Sequence, residues 1–99
     1  MKSYDWKLES GPIRGNNGTR TVAVFYEDAL DCRVEVSILT TRLSEVGAAD
    51  TSATKEQRGL KTLLLMLEQY VVANDIQPGQ LMRINENDVD LAAIRGARE

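Results

Sequence analysis

Any chemistry in this chain has to come from carboxylates. The 99 residues contain no histidine and a single cysteine, Cys32. Lacking imidazole, the chain lacks the commonest general base and the commonest metal ligand. Ser-His-Asp and Cys-His catalysis within one chain are excluded, and so are ordinary zinc sites. Cys32 opens a predicted strand and shares the parity of its apolar row. It is expected to be a buried structural thiol, with no activating basic partner obvious from the sequence.

Two acidic sets remain. Glu27, Asp28 and Asp31 cluster in a predicted turn, with Glu35 following in the next strand. As solvated turn acids they need no function. As a surface they would dock a basic partner, with Glu27, Asp28, Asp31 and Glu35 carrying the contact. Glu86, Asp88 and Asp90 alternate like the start of a calcium loop. That pattern then requires glycine where Leu91 stands and glutamate where Ala97 stands. Both fail, so no calcium site is expected, and the sequence implies no metal or cofactor.

Gly15-Asn16-Asn17-Gly18 lies between Arg14 and Arg20. The GxxG loop that clamps RNA joins two helices, whereas this one joins two predicted strands. It also lacks the spacing and the lysine of a phosphate-binding loop. Asn17-Gly18 reads as a hairpin turn, with Arg14 and Arg20 as candidate contacts at its tip. Trp6, the only tryptophan, is expected to pack on the core, or else to anchor a partner.

Stepped back one level, the elements are a set of short strands and one long helix. Tyr4, Trp6 and Leu8 alternate with charged residues, predicting a half-buried strand that Gly11 and Pro12 end. Residues 21–26 are apolar at nearly every position and predict a central strand covered at least partly on both faces. Cys32, Val34, Val36 and Ile38 alternate with polar residues in a third strand. Residues 41–53 read as a connection with weak structure. Residues 80–84 predict a short final strand, and the tail from Asn87 or Asp88 a short helix. The expected fold is α+β, in β-β-β-α-β-α order. An antiparallel sheet of three to four strands carries the long helix on one face, all in one domain over residues 1–99.

The long helix, Thr54 to Asn74, holds more apolar surface than such a sheet needs. Leu60, Leu63, Leu64, Leu67, Tyr70 and Val71 form the expected core stripe. Leu65 and Val72 fall outside it, between charged neighbours. Thr54 and Gln57 have capping-box spacing. The central strand raises the same question. With period two, either Val22, Val24 and Tyr26 or Ala23 and Phe25 face away from the helix. Leu65, Val72 and Phe25 are therefore the candidate interface residues.

The formal net charge is −3, unevenly spread. Residues 1–26 carry +2 (four basic, two acidic) and residues 27–50 carry −4 (two basic, six acidic). This balance speaks against nucleic acid. The longest apolar run, residues 63–67, is too short to span a bilayer, and the start lacks an apolar signal region. No membrane contact and a cytoplasmic location are expected. The leading functional expectation is a non-enzymatic interaction module that self-associates, a dimer being favoured. The alternatives are an acidic inhibitor or immunity-type protein for a basic partner, and a small-molecule binder with a pocket between sheet and helix.

Overall fold

The computed structural model describes residues 4–47 and 55–98. The chain runs β1 (Lys7–Gly15), β2 (Arg20–Glu27), β3 (Cys32–Leu39), α1 (Thr40–Gly47), α2 (Lys55–Ala73), β4 (Leu81–Ile84) and α3 (Leu91–Arg98). The strands form one sheet in the order β1-β2-β3-β4. β1, β2 and β3 make the expected antiparallel meander.

The sheet is mixed rather than antiparallel throughout, because β4 runs parallel to β3. The reason is the crossover. β3 leads into α1 and α2, and the chain then returns to the end where β3 begins. There Gly79 N–H donates to Leu30 O (2.8 Å) and Arg33 N–H donates to Gln80 O (3.0 Å). A strand starting from that end must run alongside β3 in the same direction, as helical crossovers dictate.

β1 also departs from expectation. Gly11 and Pro12 do not end the strand but interrupt its pairing, with register shifts between Leu8 and Ser10 and between Ser10 and Ile13. A proline and a positive-φ glycine fit here because β1 is an edge strand and the irregularity removes them from the ladder. Gly11 has φ +91°, and a Cβ there would stand 2.6 Å from Val22 O. The expected hairpin follows, with Asn17 at φ 60° and Gly18 at φ 86°.

Strand register decides which row of β2 is buried. Phe25 pairs with Val34 and Ala23 with Val36. The charged residues Arg33 and Glu35 keep the other row of β3 in solvent, so Val34 and Val36 must face the helices. Cross-strand partners share a face, which carries Phe25 and Ala23 inward. Thr21 and Glu27 join them, while Val22, Val24 and Tyr26 lie half-buried on the opposite side.

α2 covers that inner face, touching β1, β2 and β3, and α1 and α3 flank it. α1 is an addition to the expected layout. Its start extends β3 directly, and Leu43 packs beside the core. Among the described residues of α2, Gly59, Thr62, Leu63, Met66 and Leu67 are buried. That face is turned roughly 75° from the predicted stripe, toward Met66. The turn follows from having helical neighbours beside it as well as a sheet beneath. Thr54, the expected cap of this helix, lies outside the described residues.

The tail helix is present but starts later than expected, at Leu91, and is capped by Asp90. Asp90 Oδ1 accepts from Ala92 N–H (3.1 Å) and Ala93 N–H (3.4 Å). Asp88 instead closes a capping box with Asn85 around a 3₁₀ turn at Glu86–Asp88. One contiguous core joins sheet and helices: Phe25, Val34, Val36, Ile38, Ile84, Leu63, Met66, Leu67, Ile76, Leu91 and Ile94 among others. Among the described residues, no helix is long and apolar enough to cross a membrane.

Candidate interaction surface

The helices all lie on one side of the sheet, and among the described residues no element covers the other side. Strand pairing places Lys7, Ser10 and Ile13 of β1 beside Tyr26, Val24 and Val22 of β2. Arg33, Glu35, Ser37 and Leu39 of β3 follow, and then Leu81 and Arg83 of β4. The apolar part runs through Ile13, Val22 and Val24, with Leu39 near one end, while Leu81 stands apart on β4 beside Arg33 and Arg83. Ile13 is 64% exposed, Leu81 68% and Leu39 38%.

The charges on this side are tied to one another. Arg33 Nε reaches Glu9 at 2.9 Å, and its guanidinium lies 4.8 Å from the centre of the Tyr26 ring. Arg33 thus spans β2 to join β3 to β1, covering an aromatic face on the way. Arg83 pairs with Glu35 (3.4 Å) and Lys7 with Asp28 (3.1 Å). The Tyr26 hydroxyl donates to Asp31 at 3.0 Å, and this bond pushes the phenol pKa up.

The best-built polar contact closes the other end of the sheet. Arg20 Nη2 donates to both carboxylate oxygens of Glu86 (2.9 and 2.7 Å) and to Ser37 Oγ (3.1 Å). The Glu86 side chain is 5% exposed and that of Arg20 23%. Burial pushes the Glu86 carboxyl up. The Arg20 hydrogen bond and charge, with main-chain N–H groups of Glu86 and Leu39, outweigh it and hold the pKa below the usual value.

These contacts reassign several candidate residues. Arg20 is not a free arm at the hairpin tip but half of this clamp, while Arg14 stays exposed on β1. Glu27 is buried on the helix side, where it accepts from the main-chain N–H groups of Asp5 and Ala29. It braces the β2–β3 turn and does not belong to an acidic surface. Asp28, Asp31 and Glu35 reach the surface, each with a partner in its own chain. Phe25 is 2% exposed in the core, so it offers nothing to a partner. The apolar residues on the open side of its strand are Val22 and Val24. On the outer side of α2, Val72 is 82% exposed, and Leu65 is half-buried against the core.

Cys32 is fully buried at the start of β3. Burial, with the nearby charge of Asp31, pushes its thiol pKa up. A thiol so placed is a poor nucleophile. Trp6 is half-buried beside the core, its ring centre 5.7 Å from that of Tyr4, and its Nε1 lacks a hydrogen-bond partner among the described residues. No three His, Cys, Asp or Glu side chains among the described residues are gathered so as to hold a metal ion.

Ile13, Leu39 and Leu81 are exposed apolar positions that sequence reasoning missed, and Leu8, expected in a half-buried row, is 44% exposed. Ile13 was hidden because Gly11-Pro12 reads as the end of a strand. Leu39 sits where β3 passes into an unforeseen helix, and Leu81 was assigned to a strand without a neighbour to define its faces. No family model, no curated protein and no solved structure matches this chain.

Proposed function

We propose that this protein is a non-enzymatic interaction module that associates with a second copy of itself. The observation that carries the reading is the one-sided fold. Its helices share one side of the sheet and leave Ile13, Leu39 and Leu81 exposed on the other. Exposed apolar residues grouped on one surface mark contact sites more often than scattered ones do.

The chemistry of the chain supports the same reading. Histidine is absent, the lone thiol is buried with its pKa raised, and the carboxylates described above are engaged in ion pairs, caps and turns. Docking of a basic partner on Glu27, Asp28, Asp31 and Glu35 is less well supported, because Glu27 is internal and the other three are already partnered.

Light scattering across a concentration series tests the proposal. A mass rising from one chain to two supports it. A mass of one chain at every concentration rejects it.

A further inference from the structure

We infer that the β1–β2 hairpin carries a site of self-modification, at which the main-chain nitrogen of Gly18 attacks the side-chain carbonyl carbon of Asn17. Asn17-Gly18 forms the turn, and three features of the hairpin give the pair this chemistry as well.

The reaction consumes only water. A bond forms between Gly18 N and Asn17 Cγ, and the amide proton of Gly18 passes to solvent. The bond from Cγ to Nδ2 breaks, and Nδ2 takes up a proton and leaves as ammonia. The product is a five-membered succinimide. Water then opens the ring at one of its two carbonyl carbons. Opening at Cγ gives aspartate, and opening at the main-chain carbonyl gives isoaspartate. No atom is oxidised or reduced.

The first feature is access. Asn17 is exposed, and its carboxamide has no hydrogen-bond partner among the described residues. Apart from its chain neighbours, no atom lies within 4 Å of where a Gly18 Cβ would stand. The attacking nitrogen is therefore uncrowded.

The second is the backbone. Asn17 has φ 60° and ψ 31°, and Gly18 has φ 86°. These are the values of a type I′ turn. In it the Gly18 nitrogen lies nearly opposite Asn17 Cβ across the Cα–C bond, so the reacting atoms are apart. Ring closure needs ψ near about −120°, which is also the ψ of the first central residue in a type II′ turn, where φ is again about +60°. Type II′ is the other favoured two-residue hairpin turn. Turning over the one peptide plane between Asn17 and Gly18 thus reaches the reactive geometry while Gly15 and Arg20 stay paired. Gly18 accepts the accompanying change in the sign of φ because it has no Cβ.

The third is the contrast with other asparagines. Asn74 Nδ2 donates to Tyr70 O at 3.1 Å, and Asn85 Oδ1 accepts from Asn87 N–H at 2.8 Å. Asn74, Asn85 and Asn87 are each followed by an acidic residue. The side chain of that residue crowds the nitrogen, and its charge opposes loss of the amide proton.

Either product adds a negative charge to a chain of net charge −3, at the tip where Arg14 is exposed on the adjoining strand. Isoaspartate also lengthens the main chain by one atom and loosens the pairing of Gly15 with Arg20.

The experiment holds the folded protein at pH 8 and follows the tryptic peptide Gly15–Arg20 by tandem mass spectrometry, with isoaspartyl methyltransferase labelling as a second readout. The same protein in urea and an Asn17→Gln variant run beside it. In the folded protein Asn17 is expected to gain one dalton at least about tenfold faster than Asn74, Asn85 or Asn87. Labelling should appear in step and be lost in Asn17→Gln, whose longer side chain would have to close a six-membered ring. An Asn17 that reacts in urea but persists in the folded chain overturns the assignment, because the turn then protects it. So does faster reaction at Asn16 or at any other asparagine, and so does an Asn17→Gln variant that labels like the parent.

Discussion

Glu86 is the residue on which most of the polar architecture turns. It lies between β4 and α3, yet its carboxylate holds Arg20 at the far end of β2. Removing one partner of a nearly buried pair leaves the other uncompensated, which costs about 3–5 kcal/mol when both are fully buried. Arg20 retains some solvent contact, so Glu86→Gln is expected to cost about 2 kcal/mol at neutral pH. The pH dependence has a definite sign. The folded pKa lies below the ordinary 4.5, so the stabilisation is complete above the unfolded value and is lost as pH falls through the folded one. Urea midpoints at pH 7 and pH 3 measure this. The gap between parent and Glu86→Gln should narrow at pH 3, and an unchanged gap would contradict the assignment. Cys32 gives a second test at this scale. Its alkylation at pH 8 should be at least about 100-fold slower in the folded chain than in urea. Comparable rates in the two states would mean that β3 opens readily. Cys32 was legible in the sequence because its alternation with Arg33 and Glu35 placed it in a buried row. Glu86 was not. Among Asp88 and Asp90 it looked like one acid of a set, and only the tertiary structure brings Arg20, 66 positions away, against it.

Two glycines separate local from tertiary constraint at the scale of elements. Gly59 lies inside α2, and a Cβ there would stand 3.5 Å from Leu43 Cδ2, an ordinary contact. Gly59→Ala should therefore stabilise the protein by about 0.5–1 kcal/mol through helix propensity. Gly11 is the opposite case, since its φ is +91° and its Cβ would collide with Val22 O. Gly11→Ala should cost about 2 kcal/mol or more and loosen the pairing of β1. Denaturant unfolding of both variants checks the contrast, and equal effects would refute it. The long helix, the hairpin and the strands β2 and β3 were readable because their apolar periods are long and their turns carry Asn17-Gly18 and Asp28 to Asp31. β1 was placed too early and ended too soon: Tyr4 and Trp6 precede the strand, and Gly11-Pro12 is a terminator in a central strand but tolerable on an edge. α1 was missed because it has barely two turns, too few to show a period. The docking of α3 was equally invisible. Gln69 of α2 grips the main chain of Asp90 by two hydrogen bonds (2.6 and 3.0 Å). Gln69→Ala should cost about 1 kcal/mol and raise hydrogen exchange selectively in α3.

The described residues form a sheet with helices on one side, and that asymmetry is what the proposed self-association uses. Val72→Lys, at an 82% exposed position, is expected to change stability by less than about 0.5 kcal/mol. A larger loss by thermal melting would show that α2 is covered there after all. By itself the sequence determined the α+β class, the long amphipathic helix, the buried thiol and the absence of histidine chemistry. These depend on residue type and on periods of two and 3.6, which are local. It also led to the expectation of more apolar surface than one helix on one sheet face can hide. The tertiary structure decided where the surplus lies. Pairing of Phe25 with Val34 turned one row of β2 inward and left Val22 and Val24 outside. The helical crossover made β4 parallel and set Leu81 on the same open side. Register and crossover direction are relations between segments far apart in the chain, and a single local pattern is compatible with either choice until those segments meet.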